Sequence, residues 1–182
     1  IIEFSATLKN TDIKYLTDGM DIPVKLIERT YEECKNENFL KEIIEITSIQ
    51  SEEDRIKKSL DKRKEIEDAY KNVDGFQNYN PTVLFILPFG KKKEQKLFKE
   101  IIKNCAKDYD ILDEEIVESM SDREEDYDTY KIENPQSNVK IITTIRAGLT
   151  GLDRTSMGIG CCLDDNIKSE VQIHQMFGRL LR

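Results

Sequence analysis

Apolar and polar positions fall in blocks along this chain, and the blocks carry two different periods. "TVLFIL" at 82–87, "VKIITTI" at 139–145 and "MGIGCCL" at 157–163 are nearly unbroken apolar runs, the pattern of strands covered on both faces. Between them, "KEQKLFKEIIKNC" at 93–105 has the helical spacing of an amphipathic surface helix, and "SDREEDYDTYKIE" at 121–133 reads as an acidic helix with Ser121 as its N-cap. "YDIL" at 109–112 predicts a short strand, and "SEVQIHQMFGRLL" at 169–181 a last helix capped by Ser169. Strand and helix therefore alternate from residue 82 onward, which predicts an α/β fold: an open parallel sheet with helices on its faces.

Upstream the pattern is different. "IIEF" at 1–4 and "IPVKLIE" at 22–28 read as strands, the second opened by the turn-like "TDGMD". From about Asn36 to Lys71 no Gly or Pro intervenes, and Phe39, Leu40, Ile43, Ile44 and Ile46, then Ile56, Leu60, Ile66 and Tyr70, recur near helical spacing. Two helices joined near "SIQSEED" at 48–54 are expected, forming a helical insertion at about 36–72 before the third strand. Gly75 and Pro81 in "NVDGFQNYNP" mark the chain reversal that follows.

Composition narrows the class. The 182 residues suffice for one well-packed domain plus an appendage. With 35% charged residues and no apolar run near the roughly 18 to 20 residues of a membrane span, a soluble, intracellular (cytoplasmic or host-cell equivalent) protein is expected. The chain opens directly into "IIEF", so it is expected to be a piece of something longer. Its four cysteines, Cys34, Cys105, Cys161 and Cys162, lack CxxC spacing, and the vicinal pair in an apolar run reads as strand packing in a reducing compartment. The net charge of −8 argues against nucleic acid until its distribution is considered. Residues 108–133 hold twelve acids against two bases, whereas residues 139–182 hold six bases against four acids, and "GKKKEQK" at 90–96 is a separate basic spot.

In open parallel sheets ligands gather at the loops that leave the carboxyl ends of the strands. Those loops here are "PFGKKK", "IRAGLTGLDR" and the region of the last helix with "QMFGRLLR". Taken singly, each has a plain reading: a turn, a cap, or two arginines on a solvated helix face. Together, "FSAT" at 4–7, "TVLFILPFG" at 82–90, "IITTIRAGLTGLD" at 141–153 and "QMFGRLLR" at 175–182 resemble, in order and spacing, motifs III, IV, V and VI of superfamily 2 helicases and translocases. The most specific part is QxxGRxxR about twenty residues after a GxD. The "GRLLR" ending and "EFSATLKN" opening are most similar to the restriction-type branch, which includes the type III restriction motor subunits.

The resemblance implies the end of a first RecA-like lobe and the interlobe linker at 1–20, and a second RecA-like lobe at 21–182. ATP would lie between two lobes, with Mg2+ held by the missing first one. Arg182 would be the arginine finger, with Arg179 and Gln175 also reaching the phosphates, where a guanidinium on the developing charge is worth roughly 10³ to 10⁵ in rate. Gly151 and Gly178 would allow close approach to ATP, and Asp153 would contact its ribose. Ser5, Ala6 and Thr7 would couple the phosphate site to the gap between lobes. Thr143, Thr144, Pro88, Phe89 and Gly90 would touch nucleic acid, DNA in preference to RNA, at its phosphates. Where the family's motif V threonine is expected this chain has Ile145, so Thr143 or Thr144 would take that role.

Other features are read more plainly. No GxxxxGK[ST] occurs, so the chain by itself is expected to bind ATP poorly and hydrolyse none. "ILDEE" at 111–115 imitates the acid motif of a first lobe but follows motif IV, so Asp113 and Glu114 are read as surface acids. His174, the single histidine, has no partner for a metal or proton relay. Phe89 is the one aromatic placed where a base could stack. The rival to the motor is a non-catalytic RecA-like module that binds protein partners through the helical segment and the acidic face.

Overall fold

The computed structural model describes residues 33, 36, 51–119, 131–134, 136–145, 154 and 156–165. Within these, helix α1 spans Glu52–Tyr70, strand β1 Thr82–Ile86, helix α2 Lys92–Lys107, a 3₁₀ turn Asp113–Glu115, β2 Ile116–Ser119, β3 Ile141–Thr144 and β4 Met157–Cys162. The strands form one sheet in the order β2-β3-β1-β4, and every pairing is parallel. The fold is α/β, a four-stranded parallel sheet flanked by helices, as the alternation of blocks implies. Among the described residues no helix is long and apolar enough to cross a membrane.

The period-2 geometry of a strand explains the unbroken apolar run of β1. Val83, Phe85 and Leu87 enter a first core with Ile56, Leu60, Phe98, Ile102, Ile141 and Cys161, while Leu84 and Ile86 enter a second with Val117, Ile132, Val139, Ile142 and Met157. Both faces of β1 are therefore dry, and a polar side chain placed there without a partner costs about 1–3 kcal/mol.

Helices α1 and α2 cover the first face. Helix α1 starts where the Ser51 hydroxyl accepts the Asp54 N–H at 3.3 Å, with Glu52, Glu53 and Asp54 favoured by the positive end of the helix dipole. This start lies inside the junction expected at 48–54. The described part of the expected insertion is thus a wall of the main core, packed against β4, β1 and α2. Its buried stripe is Ile56, Leu60 and Arg63, so an arginine occupies the place that apolar periodicity assigned to Ile66. The phenol of Tyr109 ties the two helices together by donating to Asp61 Oδ1 at 2.7 Å.

One expected strand is corrected. "YDIL" is the turn that closes α2: Asp110 takes a φ of 54°, and the Ile111 N–H returns to the Ala106 carbonyl at 3.1 Å. Ile111 is buried because it closes the helix end, not because it pairs with a neighbour strand. The strand comes later, as β2, an edge strand that alternates between the faces: Val117 points to the second core, and Glu118 meets Lys99 of α2 at 2.7 Å.

At the amino-terminal edge of the sheet sits a second buried arginine, Arg154, only 3% exposed. Its Nε donates to Thr82 Oγ1 at 3.0 Å and Ser156 Oγ at 2.8 Å. Nη1 donates to the carbonyls of Ile132 at 3.1 Å and Asn134 at 2.9 Å and to Ser137 Oγ at 2.8 Å, and Nη2 to the Ser137 carbonyl at 3.0 Å. Arg154→Met strands these acceptors in a dry edge and should lower unfolding free energy by about 3 kcal/mol or more. A urea titration with an unchanged slope and a lower midpoint is the expected readout, and Arg154→Lys should recover little of the loss because it lacks the planar fork.

Tyr109 gives a pH-dependent counterpart. Burial first, then its hydrogen bond to the Asp61 carboxylate, pushes the phenol from 10.0 to about 12. The folded state therefore holds this proton more tightly than the unfolded chain. The contribution is fully present below about pH 10 and is lost as pH rises toward 12. In alkaline unfolding series, Tyr109→Phe should fall less steeply than the wild type across that window.

Candidate functional site

The loops at the carboxyl ends of β1, β3 and β4 come together because the strands are parallel and in register: Ile86 lies beside Thr144 on one side and Cys162 on the other. The ladder runs one step further, with the Leu87 N–H on the Thr144 carbonyl at 2.7 Å and the Leu163 N–H on the Ile86 carbonyl at 2.9 Å. Beyond that point the chain leaves β1 as Pro88-Phe89-Gly90-Lys91 and enters α2.

This short loop is held by hydrogen bonds at Pro88 and Phe89. The Pro88 carbonyl accepts Gln95 Nε2 at 2.6 Å, from the first turn of α2. The Phe89 N–H donates to Asp164 Oδ2 at 3.3 Å, from the segment after β4. Gly90 has a φ of 74°, a left-handed conformation that a side chain would strain although nothing stands within 4 Å of where its Cβ would be. Pro88 and Asp164 are buried, while Phe89 is 59% exposed.

Helix α2 then begins in an unusual way. Lys91 at its N-cap offers no side-chain capping hydrogen bond to the helix backbone, and Lys92, Lys93 and Lys96 follow, all exposed. Cations at the positive end of a helix dipole oppose its stability by about 0.3–1 kcal/mol each. Helix formation does not account for them. Lys91 pairs with Glu94 at 2.9 Å; Lys92, Lys93 and Lys96 have no ion-pair partner among the described residues.

The threonines of β3 end the neighbouring strand at the same edge. Both are buried: Thr143 shares the face of Ile141 and Thr144 that of Ile142. Thr144 Oγ1 donates to the Ser119 carbonyl at 2.7 Å and so fastens the end of β2 to β3. Thr143 Oγ1 is buried without a hydrogen-bond partner. Neither hydroxyl is presented outward in this arrangement. The exposed part of the edge is the Phe89 loop and the lysines behind it.

After β4, Arg55 of α1 closes the strand end, with Nη1 on the Cys162 carbonyl at 2.9 Å and on Asp165 Oδ1 at 3.0 Å. Its Nε is buried and unpartnered. Sequence reasoning missed Gln95, Asp164 and Arg55. Asp164 alone had a legible signal, a carboxylate immediately after an apolar strand at the edge where ligands collect.

Pro88, Phe89, Gly90, Thr143 and Thr144 are the expected site residues that the structure brings together. Ser5, Ala6, Thr7, Gly151, Asp153, Gln175, Gly178, Arg179 and Arg182 lie outside the described residues, as do Cys34 and His174. Of the acid pair at 113–114, Asp113 lies 3.8 Å from Lys103, and the adjoining Glu115 is tied to Lys140 at 2.9 Å. Among the described residues no three His, Cys, Asp or Glu side chains gather as a metal site. Cys161 enters the first core and Cys162 packs against the second. Burial raises both thiols, Cys161 to about 11, which keeps them protonated near neutral pH.

Comparison with protein-family models, with curated proteins and with solved structures finds no match to this chain. Asp164→Ala removes the acceptor of the Phe89 amide, and hydrogen exchange at that amide should accelerate by about tenfold or more, since hydrogen bonds to charged groups contribute about 1.5–3 kcal/mol. Exchange in the β1 amides should be much less affected.

Proposed function

We propose that this chain is the second RecA-like lobe of an ATP-driven nucleic-acid helicase or translocase of the superfamily 2 kind, nearest the restriction-type branch. The observation that carries the reading is the order and spacing of "FSAT", "TVLFILPFG", "IITTIRAGLTGLD" and "QMFGRLLR" on a chain whose "TVLFI" and "IITT" are adjacent parallel strands. Adjacency in parallel puts the loops after both motifs on one edge, where a nucleic-acid track and a nucleotide cleft have to meet. On this reading Arg182, Arg179 and Gln175 serve the ATP phosphates, Gly151, Asp153 and Gly178 the nucleotide, and Ser5, Ala6 and Thr7 the coupling between lobes. ATP with Mg2+ supplies the phosphoryl transfer, and this chain supplies guanidiniums where negative charge develops. The partners are nucleic acid, DNA rather than RNA, and the first RecA-like lobe of the same protein.

The inward-facing threonines refine the nucleic-acid side of the proposal. With Thr144 Oγ1 bonded to Ser119 and the Phe89 amide bonded to Asp164, phosphate contact falls to the lysines at 91–96.

A second reading, a non-catalytic module that binds protein through its helical segment, draws on one observation. At the end of α1, Tyr70, Val73 and Phe76 are exposed, and the rings of Tyr70, Phe76 and Tyr79 stand 5.0–6.3 Å apart. Arg182→Ala separates the two readings. In the full protein containing both lobes, the motor reading expects ATP turnover to fall by roughly 10³-fold or more while nucleic-acid binding is retained. Steady-state turnover at the wild-type level would favour the protein-binding module.

A further inference from the structure

Phe89 stands out among the described phenylalanines. Phe85 and Phe98 are buried in the first core, and Phe76 leans on two tyrosines. The Phe89 ring is mostly exposed, yet its backbone is among the most constrained at this edge. A buried proline precedes it, a glycine with positive φ follows it, its own N–H is held by Asp164, and the carbonyl before it is held by Gln95. An aromatic ring held outward on an ordered loop loses little conformational entropy when something flat lies on it.

The surroundings decide what that flat group is. Four lysines, Lys91, Lys92, Lys93 and Lys96, lie exposed within seven residues of Phe89, the first three at a helix start where they oppose the dipole. A ring beside several cations fits a ligand that alternates planar apolar groups with negative charges. The Phe89 amide, already on a carboxylate, is not free for a phosphate, so the ring and the ammonium groups are what the loop offers. In a duplex the faces of the bases are stacked on one another, whereas in a single strand they are available.

We propose that Phe89 is a stacking platform for one base of a single-stranded nucleic acid, with Lys92, Lys93 and Lys96 holding the flanking phosphates. This rests on the nucleic-acid motor reading and adds the strandedness of its track and the part of the nucleotide it grips. Because the contact is to a π-face, it is indifferent to base identity, as a motor that moves along arbitrary sequence requires.

The test measures binding of the full chain to an oligothymidylate, to the same strand carrying 2-aminopurine, and to a duplex of equal length, across a salt series. Phe89→Ala should weaken single-strand binding by about 5- to 150-fold and abolish the 2-aminopurine quenching, with duplex binding and the salt slope unchanged. Phe89→Trp should restore both, and since the ring is exposed, thermal unfolding of Phe89→Ala should match the wild type. Lys92→Gln combined with Lys93→Gln should reduce the salt slope by about 1.4, at about 0.7 per phosphate contact on a single strand. If Phe89→Ala binds the oligothymidylate and quenches as the wild type does while the lysine variant weakens, the stacking role is overturned and the motor reading stands. If the wild-type chain binds neither strand nor duplex at low salt, both fall.

Discussion

The sheet depends on a guanidinium. Parallel strands all begin at one edge, so that edge collects the polar chain ends that enter them, many of them buried or half-buried and in need of partners. Arg154 meets this need with its planar fork, reaching Thr82 at the start of β1, Ser137 and the Ile132 and Asn134 carbonyls before β3, and Ser156 before β4. The network continues sideways. Asn80 Nδ2 donates to the Val139 carbonyl at 3.3 Å, and Asn80 Oδ1 accepts Arg63 Nη2 at 3.1 Å, so α1 is fastened to the same edge. Arg63 Nε adds the Pro81 carbonyl at 3.0 Å. The positive charge of Arg154 is spread over neutral acceptors, and burial holds its pKa below the ordinary arginine value.

The opposite edge is built on other terms. Among the described residues the two buried side-chain polar atoms without a partner, Arg55 Nε and Thr143 Oγ1, belong to residues near the carboxyl ends of β4 and β3, while the amino-terminal edge is densely bonded. Each orphan costs about 1–3 kcal/mol. Stability is thus concentrated where the strands start, and unsatisfied groups, an exposed ring and misplaced lysines are concentrated where they end. Such an asymmetry is expected of an α/β sheet that binds at its carboxyl edge, because the binding loops can vary only if something else fixes the strands.

Legibility in the sequence followed the same division. β1 and β3 were readable because a strand buried on both faces must be largely apolar, β4 from an apolar run of which Met157 and Cys161 are buried, and α2 from its single apolar face. β2 was not, because an edge strand can spend Glu118 on a lysine of α2, and "YDIL" misled because a helix end consumes apolar residues as readily as a strand does. The two arginines were invisible for a different reason: carbonyls that satisfy Arg154 come from segments up to 23 residues away, with no local periodicity to betray them. At the site, the loop after β1 could be read, but the Asp164 that holds it is 75 residues distant in the chain. Strand parity, once Ile141 faces the first core, turned both threonines inward.

Net charge is a poor guide to what this surface attracts. The chain carries −8, yet several of its acids near the sheet are neutralised in place: Glu118 by Lys99 at 2.7 Å, Glu115 by Lys140 at 2.9 Å and Glu67 by Arg63 at 3.3 Å. At physiological salt the field of a charge decays over about 8 Å. An approaching polyanion therefore responds to the unpaired lysines within that distance, not to the sum over the molecule. The lysines at 92, 93 and 96 lack such partners among the described residues, and so the positive field beside Phe89 survives in an acidic protein.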